Sequence, residues 1–209
     1  MRRFILFGVV VVGFGASVFL LVRRSGESAT PPVERQRALA LGFGLGAAVS
    51  RDVPGGQVVV VDYPRLDAML ALAEARVAGL VRALEPARYQ VVRVPVDDLV
   101  LACELGARGE PLMEGNFTLQ AYTRMMMEYP DAVAVVSFIG IPEGLNGVSR
   151  KGGLPPLYAN SALAEQGMSS PLVRAIAKPR AEIWRPEWAP TGTIEQWFTQ
   201  GYDLIRHEN

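Results

Sequence analysis

Apolar positions along this chain change their spacing several times, and each change marks an element. Residues 57–62 (QVVVVD) follow a Pro-Gly-Gly turn and hold four consecutive valines. A run without alternation suits a strand buried on both faces, as in a parallel sheet. Pro64 is suited to a first helical turn. From there Leu66, Met69, Leu70, Ala73, Val77, Leu80, Val81 and Leu84 recur at three- and four-residue intervals, the spacing of one helical face. Pro86 ends that helix, and residues 89–94 (YQVVRV) predict a second strand. Strand, helix and strand in this order make a βαβ unit.

Residues 97–115 are mixed and Gly-containing, and read as a short helix and a loop. Asn116 is placed to cap a helix ending at Glu128, with Phe117, Ala121, Tyr122, Met125 and Met126 inward. Of the adjacent Met125, Met126 and Met127, one must sit on the rim, because three in a row cannot share a face. Residues 131–140 (DAVAVVSFIG) form a third strand, and 141–156 a long Gly/Pro loop. A short helix is expected over 161–166, strands over 172–177 and 181–184, and a closing helix over 193–205. Strands alternating with amphipathic helices imply a three-layer α/β/α domain with a mostly parallel sheet, Rossmann-like or flavodoxin-like.

The chain opens differently. Residues 4–22 are nineteen uncharged residues between Arg2-Arg3 and Arg23-Arg24. At helical rise they reach about 28 Å, against roughly 30 Å of bilayer hydrocarbon. A secretory signal has an apolar core of about 7–15 residues, so the longer run reads as a retained single-pass anchor over residues 1–24. Gly13 and Ser17 give its helix a small-residue face suited to packing against another membrane helix. Residues 25–34 (SGESATPPVE) form a linker, and residues 35–209 a single α/β domain entered through a Gly- and Ala-rich helix over 35–49. Flanking Arg residues do not fix the orientation; an extracytoplasmic, periplasmic domain is the expectation.

Lys plus Arg equals Asp plus Glu at 21 each. Zero net charge argues against a general nucleic-acid binder, which needs a basic face. One cysteine, Cys103, and one histidine, His207, exclude an intrachain disulfide and a Cys/His zinc site. No G-x-S-x-G or Walker pattern occurs, and no cofactor or metal is expected. Gly42-x-Gly44-x-x-Ala47, with Asp62 twenty residues on, fits the loose dinucleotide fingerprint. That fingerprint must follow a strand, for which only residues 38–41 are available, so a Gly-rich packing helix is the reading adopted.

Parallel α/β sheets bind ligands at the carboxyl ends of their strands. The polar residues there are Asp62, Asp97, Asp98, Ser137, Glu143, Lys178 and Arg180, which together could hold a polar solute. Trp184, Trp188, Trp197 and Phe198 load the C-terminal quarter with aromatics. Core packing is their default role, and Trp188, Trp197 and Phe198 are also candidates for a partner interface. The βαβ units from residue 57 to about 178 resemble one lobe of type 1 periplasmic binding proteins, which close two lobes over a ligand. A response-regulator receiver resemblance fails, because the third strand ends in Ser137-Phe138-Ile139-Gly140 without an acid.

The primary expectation is a membrane-anchored, non-enzymatic accessory or scaffold subunit, with the bilayer and other membrane subunits as partners. The alternative is a tethered solute-binding or sensor domain with a small-molecule ligand, as the resemblance implies. A nucleotide- or metal-dependent enzyme built on Asp62 is a third reading.

Overall fold

The structure is a computed structural model that describes residues 32–62, 67–95, 117–145, 153–162, 167–185 and 187–207. Its elements are α1 (Pro32–Asp52), β1 (Gly56–Asp62), α2 (Asp67–Ala83), β2 (Tyr89–Pro95), α3 (Leu119–Glu128), β3 (Ala132–Ser137), β4 (Leu157–Asn160), β5 (Val173–Pro179), a 3-10 turn (Ala181–Trp184), α4 (Ile194–Gly201) and β6 (Tyr202–Arg206). The six strands form one sheet in the order β2-β1-β3-β4-β5-β6. All neighbours are parallel except β6, which runs antiparallel to β5 along one edge. The order from β2 to β5 is the flavodoxin-like one.

The valine run of β1 is buried throughout, as a strand covered on both faces requires. Val58 and Val60 face Leu41, Leu45 and Val49 of α1 and Leu80 of α2. Val59 and Val61 face Tyr122 and Met125 of α3. Helices therefore cover both faces of a mostly parallel sheet. Met125 and Met126 are buried while Met127 stands exposed, one rim residue in three. The anchor over residues 1–24, with Gly13 and Ser17, and residues 25–31 of the expected linker lie outside the described residues; residues 32–34, also expected as linker, belong to α1. Among the described residues no helix is long and apolar enough to cross a membrane.

Helix α1 packs on α2 through glycines. A Cβ on Gly42 would lie 1.8 Å from the Arg76 carbonyl oxygen, and one on Gly79 would lie 1.9 Å from that of Leu39. Residues 38–41 are helical, so the strand that a dinucleotide fingerprint needs is absent here, and these glycines serve a close helix crossing instead.

Four other expectations are corrected. Residues 181–184 form a 3-10 turn, not a strand: only Ile183 is buried, and Arg185 N–H bonds to Glu182 O. The closing helix stops at Gly201, whose missing side chain admits the Trp188 ring. Tyr202–Arg206 then pairs with β5 as an edge strand. β4 is only four residues long and follows two prolines, so its pattern was too short to separate from the loop expected there. The cap of α3 is Thr118, whose hydroxyl accepts from Ala121 N–H, rather than Asn116.

Three tyrosines tie the layers together. Tyr122 donates to Pro155 O at 2.9 Å, and Tyr158 donates to Asp52 of α1 at 3.1 Å. Burial raises both hydroxyls well above the ordinary tyrosine range, for Tyr158 with help from the Asp52 charge. Burial pushes Tyr202 up to about 12. A raised pKa means that the folded chain holds protons which the unfolded chain releases. The stabilisation is complete below pH ~10, the unfolded tyrosine value, and is lost as pH climbs towards 12. Each such tyrosine contributes a slope of about 1.4 kcal/mol per pH unit in that window. Urea unfolding at successive pH values should show stability falling above pH ~10, with a shallower fall in Tyr202→Phe. An unchanged slope in that variant would refute the assignment.

Candidate functional site

Strand order reverses between β1 and β3, the topological switch point where open α/β sheets form their ligand crevice. Asp62 is the last residue of β1 and is fully buried. The pleat puts it on the same face as Val58 and Val60, beneath α1 and α2. Its Oδ1 lies 2.8 Å from Nη1 of Arg76, and its Oδ2 lies 3.6 Å from Nη2 of Arg93. Arg76 comes from α2, where it falls on the inward stripe three residues after Ala73. Arg93 comes from β2, opposite Val60 in the ladder, so it shares the face of Asp62. The Arg76 guanidinium also stands 5.8 Å from the centre of the Phe138 ring, just past the end of β3.

Arg37 enters the same layer from α1. It donates to the carbonyls of Arg185 and Trp188 at 3.3 and 3.0 Å and lies over the Trp188 ring. Arg37 and Arg76 both lower the Tyr202 hydroxyl pKa, opposing the larger effect of burial. The result is a carboxylate at the switch point paired with two arginines.

The other strand-end candidates are dispersed. Ser137 is buried at the end of β3 in register with Val61, on the sheet face opposite to Asp62. Its hydroxyl has no hydrogen-bond partner among the described residues, and neither does Oδ1 of Asn160 at the end of β4. Glu143 is exposed, and its backbone bridges to Phe117 and Leu119 rather than to the crevice. Lys178 is half-buried opposite Asp203 in the β5–β6 ladder. Arg180 is exposed and pairs with Asp203 at 2.7 Å. Asp97 and Asp98 lie outside the described residues.

Sequence reasoning missed Arg76 and Arg93. Both carried a signal: an Arg on the inward stripe of a helix, and an Arg in the otherwise apolar YQVVRV strand.

The aromatic candidates also divide. Phe198 is buried, stacked on Tyr202 and seated on Gly44, so the core takes it and it presents no surface to a partner. Trp188 and Trp197 pack edge to face at 5.5 Å. Trp184, just after β5, is the aromatic left exposed. At the amino-terminal ends of β3 and β4 a groove of about 280 Å³ is lined by Met126, Met127, Tyr129, Leu154 and Pro155.

No protein-family profile matches the chain, and no curated protein does. Solved structures do. GanP, a glucose-galactose binding protein from Geobacillus stearothermophilus, aligns with TM-score 0.53 at 13% identity over 81% of this chain and 60% of that one. A carbohydrate transporter solute-binding protein from Agrobacterium radiobacter, in complex with D-arabinose, aligns with TM-score 0.49 at 13% identity over 83% and 59%. A substrate-binding protein of a sugar ABC transport system from Bordetella parapertussis aligns with TM-score 0.45 at 18% identity over 68% and 41%. The chain spans 41 to 60% of the length of these proteins. At such identities the likeness is one of fold. The chain has a mixed α/β fold with a mostly parallel sheet, consistent with one lobe of a periplasmic binding protein.

Proposed function

We propose that this chain is a solute-binding or sensor lobe, tethered at its N-terminus and facing the extracytoplasmic side, which takes a small polar solute at the carboxyl ends of β1 and β3. The observation that carries this reading is the buried Asp62 between Arg76 and Arg93 at the switch point. Ionisable groups are rarely buried unless paired, and a crevice with a few convergent polar groups is the usual form of a small-molecule site. The fold shared with GanP supports the class. A sugar or sugar-like solute fits these groups, since hydroxyls both donate to carboxylates and accept from guanidinium groups. Lys178 extends the polar edge towards β5.

The accessory-subunit reading has no comparable support: Phe198 belongs to the core, and Trp188 and Trp197 pack on each other.

The full chain, extracted in mild detergent, should melt at a higher temperature with its solute. A ligand at a hundredfold excess over its Kd adds about 2.7 kcal/mol, or roughly 5–10 °C for a domain of this size. A panel of pentoses, hexoses and their charged derivatives provides the check. No shift with any of them, together with co-purification of a fixed-stoichiometry membrane partner, would return the scaffold reading to first place.

A further inference from the structure

Trp184 is 74% exposed, although tryptophan is highly buried on average. Its exposure is built into the turn that carries it. Ile183 beside it is buried and its backbone N–H bonds to Arg180 O, while Arg185 N–H bonds to Glu182 O and Trp188 N–H to Arg185 O. Arg37, near the start of α1, donates to the carbonyls of Arg185 and Trp188. The indole therefore stands out from a turn that is pinned to α1. Around it the charges nearly cancel. Arg180 is paired with Asp203, and the exposed Arg185 is offset by the exposed Glu182 and Glu187. This corner offers a partner an apolar ring with a polar N–H, not a charged patch.

The direction of α1 decides which partner is within reach. Its far end, Asp52, pairs with Arg206, which lies opposite Ala175 near the amino end of β5. Its near end holds the turn that follows the carboxyl end of β5. Helix α1 therefore starts at the carboxyl-end edge of the sheet, the edge that also carries the switch point. Only seven residues, 25–31, separate Arg24 from Pro32, and seven residues reach at most about 25 Å. With residues 4–22 in a bilayer, as their length implies, the headgroup layer lies close to the Trp184 turn. Tryptophan is enriched in that layer, because its ring is apolar and its N–H is polar. We propose that Trp184 seats in the headgroup layer of the membrane that holds the N-terminal anchor. The carboxyl-end edge of the sheet, crevice included, then faces the bilayer. Tethering makes the contact intramolecular, so one ring suffices where a free domain would need a larger apolar patch. This inference goes beyond the solute-binding reading and rests on its N-terminal tether alone.

The test is tryptophan fluorescence of the full chain in phosphatidylcholine nanodiscs, with and without brominated acyl chains, which quench a ring seated in the bilayer. The chain has three tryptophans, of which Trp188 and Trp197 pack on each other. Brominated discs should remove about a third of the parent's emission, the share of one ring in three. Trp184→Phe should lose little. Because the ring is exposed, that variant should keep the parent's melting temperature. Replacing part of the lipid with phosphatidylglycerol should leave the quenching unchanged, since the local charges nearly cancel. Equal quenching in parent and variant, or none in either, would overturn the docking while leaving the tether and the solute-binding reading intact. Quenching that needs phosphatidylglycerol would overturn the aromatic basis of the contact. Emission from Trp184 that is blue-shifted but unquenched, in discs carrying two chains, would overturn the proposal in favour of a contact between copies. Failure of the chain to enter the discs at all would overturn the tether and this inference together, and would leave solute binding to be decided by melting shifts.

Discussion

Asp62→Asn should lower the unfolding free energy by about 3–5 kcal/mol, the usual result of removing one partner from a buried ion pair. The substitution keeps shape and removes charge. Arg76 then remains nearly buried without the Asp62 charge, and Arg93 adds a second guanidinium 3.6 Å from the same carboxyl. Thermal unfolding of the full chain should show a loss of about 6–20 °C, since 1 kcal/mol moves the midpoint by roughly 2–4 °C for a domain of this size. Replacing both partners, as in Asp62→Leu with Arg76→Met, should recover much of the loss, because an apolar pair of similar volume tolerates burial. A fall below about 1 kcal/mol for Asp62→Asn would mean that the carboxylate is effectively solvated, and the crevice argument would lose its anchor residue.

Gly42→Ala and Gly79→Ala should each destabilise by about 3 kcal/mol or more, beyond the typical overpacking range. In an open helix the same change stabilises by about 1 kcal/mol, so the sign itself is diagnostic. Here the new methyl meets main-chain carbonyl oxygens of the facing helix at 1.8 and 1.9 Å. A carbonyl in the middle of a helix cannot rotate aside, so α1 and α2 must separate and lose packing along their whole crossing. Gly46→Ala should be milder, since its methyl would stand 2.8 Å from Leu80 O and 2.9 Å from the Ala83 Cβ. Urea unfolding of the three variants should rank them in that order. The Gly42 variant has a further consequence. The carbonyl it displaces belongs to Arg76, so the pairing with Asp62 should weaken with it. A stabilised Gly42→Ala would refute the close crossing.

Much of the fold was legible in the residues because the pattern was long and strong. Four valines in β1, the three- and four-residue spacing of α2 and the apolar run of β3 each state their element plainly. The failures have physical causes. β4 needs only four residues because β3 and β5 flank it on both sides, and so short a run carries no period. Residues 202–206 became a strand because Gly201 ended α4 and the edge of β5 was open for pairing, a tertiary opportunity that local spacing does not record. In the site, Asp62 was visible as an acid at a strand end. Arg76 and Arg93 were not, because pattern reading treats an Arg on an inward stripe as an exception rather than as the partner of a buried acid. Phe198 had core packing as its default role and a partner interface as the alternative, and Gly44 gave it a socket in the core.

The most direct measurement is backbone NMR or hydrogen exchange, residue by residue, on the full chain with and without the tightest solute of the panel. If the crevice lies at the switch point, perturbation should centre on Asp62, Arg93 and the residues from Ser137 to Gly140. Changes confined instead to the groove at the amino-terminal ends of β3 and β4, around Met126 and Leu154, would contradict the assignment.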